Sequence, residues 1–157
     1  MSVIFSRQCE YALQAILYLA MKQDGQATSI RELTAELNTP YYFLAKILQD
    51  LAHRGLLKSY KGLGGGFVLA RSSHEITLIE VIEAIDGNGF MQQCVLGFPE
   101  CSKTSPCALH DQWGKTRDEM FNVLNLKTVA ELAGSMKKKE YTKIREKAGK
   151  RISEKIL

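Results

Sequence analysis

The stretch between Leu56 and Ala70 constrains the fold more than any other. Two extended runs, Leu56-Leu57-Lys58-Ser59-Tyr60 and Phe67-Val68-Leu69-Ala70, enclose a tip of Gly62-Leu63-Gly64-Gly65-Gly66. Such a pattern predicts a β-hairpin, because glycine adopts the backbone conformations that a tight reversal demands. The glycines do not make a phosphate-binding loop, which needs a Lys-Ser/Thr pair and a following helix; here a strand follows. Upstream, the apolar period is helical. Cys9, Ala12, Leu13, Ile16, Leu17 and Ala20 recur at spacings of three and four behind Ser6, a capping residue, and this helix should end near Met21, before Asp24-Gly25. Ser29-Ile30-Arg31-Glu32 has the pattern of a capping box and opens a second helix with Ile30, Leu33 and Leu37 inward. Asn38-Thr39 makes a turn, Pro40 suits a first helical position, and Leu44, Ile47, Leu48 and Leu51 form the buried stripe of a third helix that Gly55 stops.

Helix, helix, turn, helix and hairpin in that order describe a winged helix-turn-helix, whose helix after the turn enters the major groove of DNA while the wing meets backbone or minor groove. The stripe of the third helix leaves Tyr41, Tyr42, Ala45, Lys46, Gln49, His53 and Arg54 outside, a mixture of aromatic edges, amides and cations suited to bases and phosphates. The wing adds Lys58, Lys61 and Arg71. The expected DNA-contacting set is Tyr41, Tyr42, Lys46, Gln49 and Arg54 on the helix with Lys58, Lys61, Gly64 and Gly65 on the wing. Charge agrees with that placement. Residues 40–71 carry five Lys and Arg against one acid, and residues 137–157 carry nine against three, whereas the remainder is net acidic although the whole chain of 157 residues is +4. Cations gathered in two segments displace counterions from a polyanion; for the tail alone, a solvated end is an equal reading.

Beyond the hairpin, Thr77-Leu78-Ile79-Glu80 is another capping box, leading a helix with Leu78, Val81, Ile82 and Ile85 that Asp86-Gly87 stops. Residues 88–106 hold glycines, Pro99, Pro106 and two cysteines without a sustained period, an ordered loop that depends on something besides its own packing. Helical spacing returns with Leu109, Trp113, Met120, Phe121 and Leu124, and a third box follows at Thr128-Val129-Ala130-Glu131. The long helix carries more apolar side chains than so small a core requires, which suits pairing with a second copy as well as closing one core. Tyr141, Ile144, Ala148, Ile152 and Ile156 keep rough helical spacing among the lysines of the tail. The chain divides into a winged helix-turn-helix domain over 1–75, a segment over 76–136 containing a cysteine loop (88–107) and a long helix (108–125), and a basic tail over 137–157. The fold class is mainly α with a small β-hairpin wing.

Cys94-x6-Cys101-x5-Cys107-x2-His110 is the second chemical feature. Three clustered thiols cannot pair off among themselves, and no secretion signal precedes the first helix, so metal binding or redox chemistry suits them better than structural disulfides. Spacings of five and six exceed the usual two to four or so of a zinc site and favour a bulkier iron–sulfur cluster, with zinc left open. Cys9 reads as a small buried residue of the first helix. No apolar run reaches the roughly 20 residues that span a bilayer, and Arg7 and Glu10 interrupt the start, so a soluble, cytoplasmic protein is expected.

The wing Leu56 to Arg71, then Ile76-Thr77-Leu78-Ile79-Glu80-Val81-Ile82, then the three cysteines with Cys107-Ala108-Leu109-His110, closely resemble the Rrf-two family of bacterial regulators, which includes IscR-like and NsrR-like members. The resemblance runs from about Ile4 to Ala133. It implies a homodimeric transcription factor, usually a repressor, on palindromic operator DNA, with Cys94, Cys101 and Cys107 as ligands of an iron–sulfur cluster, either 2Fe-2S, the favoured type, or 4Fe-4S. It further implies that the helix from Leu109 is the dimer helix and that Lys61 stands at the wing tip, where the family commonly places Arg. His110 occupies the fourth-ligand position of IscR-like members; Glu10 matches the carboxylate that NsrR-like members contribute from the partner subunit, an alternative in trans. Two departures are Ala45, where IscR-like members have Glu, and six rather than five residues between the first two cysteines. The implied function is a regulator whose operator binding answers to iron–sulfur status, redox state or nitric oxide through the loop at 88–106. Alternatives are a cluster-free thiol-redox or zinc regulator and, less favoured because no Cys-x-x-Cys pair is present, a thiol or iron–sulfur enzyme. No membrane or small-molecule substrate is implied.

Overall fold

A computed structural model describes residues 4–22 and 25–136. The basic tail and its helical spacing lie outside the described residues. Helix α1 spans Arg7–Met21, α2 Ile30–Leu37 and α3 Tyr41–His53; strands β1 (Leu57–Tyr60) and β2 (Gly66–Leu69) follow, then α4 (Leu78–Asp86), a 3-10 turn at Gly89–Met91, α5 (His110–Leu126) and α6 (Val129–Ser135). The expected order of helices, turn and wing is therefore present.

Local chemistry accounts for the element ends. Ser6 Oγ accepts the Cys9 N–H at 3.1 Å and Ser29 Oγ accepts the Glu32 N–H at 3.1 Å, each answering one of the orphan donors of a helix start. Glu32 also reaches sideways: its carboxylate accepts from Tyr18 Oη at 2.9 Å and Lys22 Nζ at 2.6 Å, tying the end of α1 to the start of α2. Both halves of the capping boxes at Thr77/Glu80 and Thr128/Glu131 are formed. Asn38 at φ 46° makes the left-handed turn after α2. Pro40 sits one residue earlier than expected, as the residue preceding helix α3, with an extended ψ of 137°. Gly55, at φ 76°, follows α3 in the left-handed conformation that ends many helices.

The strands pair antiparallel, Leu57 opposite Leu69 and Tyr60 opposite Gly66, and Thr28 adds a bridge to Phe67 through reciprocal backbone bonds of 3.0 and 2.9 Å. That bridge and the hairpin turn each explain one glycine. A Cβ on Gly66 would overlap the Thr28 backbone, and one on Gly65 would overlap the Tyr60 carbonyl oxygen, so the wing closes onto itself and onto the helical body only without side chains there.

The core gathers Ile16, Tyr18, Leu33, Leu44, Ile47, Leu48, Leu51, Ile76, Val81 and Val129, all buried. Each such side chain contributes on the order of 1.5–3 kcal/mol relative to exposure. Helices α4 and α6 both pack on α1, and the Leu78 N–H bonds the Lys127 carbonyl at 3.2 Å while the Val129 N–H bonds that of Ile76 at 2.8 Å. The core thus draws on both sides of position 75. The α1 stripe is rotated from the expected one: Ala15, Tyr18 and Leu19 are buried with Cys9, Ala12 and Ile16, whereas Leu13, Leu17 and Ala20 are partly buried, because α1 packs against α4 and α6 as well as α3 and α2. No residue of α5 is buried within the protomer. Among the described residues, no helix is long and apolar enough to cross a membrane.

Candidate metal centre and nucleic-acid interface

The segment over 88–107 brings Cys94, Cys101 and Cys107 together, with their Sγ atoms all within 4.8 Å of one another. Cys94 and Cys107 approach to 3.5 Å, and His110 Nδ1, in the first turn of α5, lies 3.2 Å from Cys101 Sγ. These four residues line one cavity together with Gln92, Val95, Trp113 and Arg117. The loop is pinned to α5 through a backbone atom adjacent to the first cysteine: the Gln93 carbonyl accepts Trp113 Nε1 at 3.1 Å and Arg117 Nη1 at 3.4 Å. At the other end, Asp86 closes α4 by accepting from the Ser6 backbone N–H at 2.8 Å and from Ser6 Oγ, so the segment leading into the loop is fastened to the start of α1.

The electrostatics of the triad favour a cation. Burial opposes ionisation of Cys94, but the backbone N–H groups of Phe98 and Leu96, with the Cys107 and Cys101 thiols, outweigh it and bring the thiol down to about 7. For Cys101 the balance reverses: the Cys107 N–H favours its thiolate, yet burial and the neighbouring Cys107 and Cys94 sulfurs push the thiol up. One acidic thiol therefore makes the next harder to ionise, the behaviour of like charges sharing a site. A bound metal removes that conflict and suits a donor set of soft sulfurs with one imidazole.

Cys9 is not among these donors. It is completely buried in α1, and burial, followed by the Asp86 and Glu10 charges and an Asp86 hydrogen bond, pushes its thiol up to about 12. Glu10 is on α1 and is not brought into the thiol group of the same protomer. Trp113 and Arg117 carry no such signature in the sequence, where Trp113 reads as part of an apolar stripe. Their spacing held the available clue: His110, Trp113 and Arg117 fall three and four apart, on one face of a helix that begins three residues after the last cysteine.

The surface of α3 presents Tyr41, Tyr42, Lys46, Gln49 and His53 exposed, with Arg54 exposed just beyond its end, Tyr42 at 87% and its ring edge-on to Tyr41. Lys58 and Lys61 are exposed on the wing, and Leu63 stands fully out at its tip beside Gly64. Ala45 is half-buried. Arg71 departs from expectation. Its guanidinium is held by the Glu80 carboxylate at 2.5 Å and the Glu75 carbonyl at 2.7 Å, so it ties the hairpin to α4 instead of extending the cationic wing.

The arrangement defines a winged helix-turn-helix protein with a thiol-rich loop attached to a long, partly covered helix. A family model described as iron-dependent transcriptional regulator, Rrf2, matches residues 5–135. The chain belongs to the Rrf2 family of transcriptional regulators, whose members regulate transcription and are not enzymes. It is 32% identical over 132 residues to a protein of Aquifex aeolicus described as an HTH-type transcriptional regulator, covering 83% of this chain and 91% of that one. It is 27% identical over 124 residues to the regulator NsrR of Geobacillus kaustophilus, covering 78% and 84%. Among solved structures, CymR, the global cysteine regulator of B. subtilis, superposes with a TM-score of 0.73 at 25% identity, over 87% of this chain and 100% of that chain. IscR of T. potens shares the fold with a TM-score of 0.67 at 23% identity, over 89% and 91%.

Proposed function

We propose that this regulator is a homodimer that binds palindromic operator DNA, usually to repress, and that its binding answers to an iron–sulfur cluster held by Cys94, Cys101, Cys107 and His110. The observation that carries the reading is the convergence of three thiols within 4.8 Å, with an imidazole nitrogen 3.2 Å from one of them. A set of three thiolates and one imidazole suits a 2Fe-2S cluster better than a 4Fe-4S cluster, with Glu10 of the partner subunit as the competing fourth ligand. When bound, such a cluster supplies a redox-active and chemically labile centre, so its state or loss is available as a signal. The cytoplasm is the compartment where such thiols stay reduced.

The chain's own residues supply the rest. Helix α3 offers Tyr41, Tyr42, Lys46, Gln49 and Arg54 to the major groove, and Lys58, Lys61, Gly64 and Gly65 approach the backbone or the minor groove. Exposed Val123 and Leu126, three residues apart on one side of α5, give the helix an apolar patch for a second copy. Pairing through α5 would set two recognition helices against half-sites about 34 Å apart. Because Gln93, Trp113, Arg117 and the cysteines join loop to helix, a change in how the thiols are held alters the seat of α5 and with it the spacing of the two α3 helices.

The test is to recover genomic fragments bound by the protein, derive the common sequence, and measure its affinity for the metal-loaded and metal-free forms at fixed salt. A palindrome bound with at least a tenfold difference between the forms is expected. Equal affinities would refute the sensing role, and a site without two-fold symmetry would refute the dimeric one.

A further inference from the structure

The cysteine cavity has an unanswered donor in its wall. Arg117 Nε is sealed from solvent and has no hydrogen-bond partner among the described residues, although Arg117 lines the cavity with Cys94, Cys101, Cys107 and His110. The far end of the same guanidinium is engaged, Nη1 lying 3.4 Å from the Gln93 carbonyl oxygen that Trp113 Nε1 also approaches. The side chain is thus anchored while one charged N–H is buried without an acceptor. A buried donor of this kind is costly, and a charged one more so, unless an anion answers it. The thiols are the source of anionic charge in this cavity, and no carboxylate is among its lining residues.

We propose that Arg117 is a positioning residue for the group the cysteines hold: its Nε–H donates to an anionic sulfur of that group, and its charge offsets part of the negative charge that three thiolates bring. This rests on the iron–sulfur reading above. A cation and a hydrogen-bond donor beside an iron–sulfur centre stabilise its more negative, reduced form and so raise its reduction potential. Arg117 also touches both partners of a coupling, the carbonyl beside Cys94 and the helix that carries the exposed apolar face. The sulfur chemistry is therefore connected to α5 through one side chain as well as through His110.

The experiment is an anaerobic reductive titration of the full chain, reconstituted with iron and sulfide, for the wild type, Arg117→Gln and Arg117→Lys, with circular dichroism to show that each is folded. Arg117→Gln is expected to lower the reduction equilibrium constant at least tenfold, which is about 59 mV for one electron. Arg117→Lys keeps the charge without the Nε donor and should shift in the same direction by less. If Arg117→Gln is folded but holds no cluster, the Lys variant decides, with a lowered potential supporting the proposal. A loaded variant with the wild-type potential overturns it, and a water or a partner-subunit group then answers Nε. A wild-type chain that takes up no iron and sulfide refutes the iron–sulfur reading itself, an outcome visible before any variant is compared.

Discussion

Helices α3 and α5 make the clearest contrast in the molecule. The first has 13 residues and buries Leu44, Ile47, Leu48 and Leu51; the second has 17 and buries none within the protomer. Isolated helices of this length are marginal in water, so each needs an apolar face covered or a terminus tied down. Helix α3 finds its cover in α1, α2, α4 and β1, inside a core that one chain completes. Helix α5 finds only partial cover against α4 and the cysteine loop, and leaves Val123 and Leu126 in solvent. Helix α3 is thus completed by packing within one chain, whereas α5 and the thiol loop leave apolar and donor groups that the proposed metal group and second copy would answer.

Changes in the two halves should therefore fail differently. Cys101→Ser is expected to abolish bound iron and all visible absorption of the anaerobically loaded protein while moving the unfolding free energy of the metal-free protein by less than about 0.5 kcal/mol, a difference readable by iron assay beside urea denaturation. Leu48→Ala should do the reverse, costing about 2–5 kcal/mol of stability through a cavity in the core and leaving the thiol group intact. In α5, Leu126→Ala should leave protomer stability nearly unchanged and raise the dimer dissociation constant about tenfold, roughly 1.4 kcal/mol, in sedimentation equilibrium; an unchanged constant would remove the C-terminal end of α5 from the interface. Lys61→Ala should weaken operator binding and reduce the slope of log affinity against log salt by about 0.9, the share of one phosphate contact.

The smallest effect concerns Arg71 and Glu80, which join the wing to α4. Burial works against ionisation of Glu80, but the Thr77 N–H and then the Arg71 guanidinium outweigh it and hold the carboxyl below the usual range. A carboxyl depressed in the folded state stabilises the protein above its unfolded pKa, and that contribution is lost as the pH falls through the lower, folded value. Because the pair is about a third exposed, it should amount to less than about 1 kcal/mol. Glu80→Gln should lower stability by that amount at neutral pH and converge with the wild type in acid. Parallel pH profiles would show that the pair contributes nothing.

Much of this was legible in the residues. The three-and-four spacing of Leu44, Ile47, Leu48 and Leu51, the boxes at Thr77 and Thr128, and the glycine tip each state a local requirement that the structure meets. The thiol group was legible as a cluster of Cys94, Cys101 and Cys107 with His110, since close spacing limits how far apart a loop can carry them. What lay beyond the sequence was contact across long separations. The bond from Trp113 to the Gln93 carbonyl, the capture of Arg71 by Glu80 and the rotation of the α1 stripe toward Tyr18 depend on which elements meet, and periodicity within one element does not specify its neighbours. Arg71 illustrates the limit well. It lies beside a cationic wing in sequence, yet its partner stands at the start of the next helix.

The metal content of the protein is the most direct test of the iron–sulfur reading. Purified and handled without oxygen, the full chain should carry iron and acid-labile sulfide in equal amounts, with visible charge-transfer absorption that His110→Ala changes or removes. A colourless protein that holds no iron under those conditions, and takes up none with added iron and sulfide, would contradict the sensor and leave the DNA-reading half to be explained on its own.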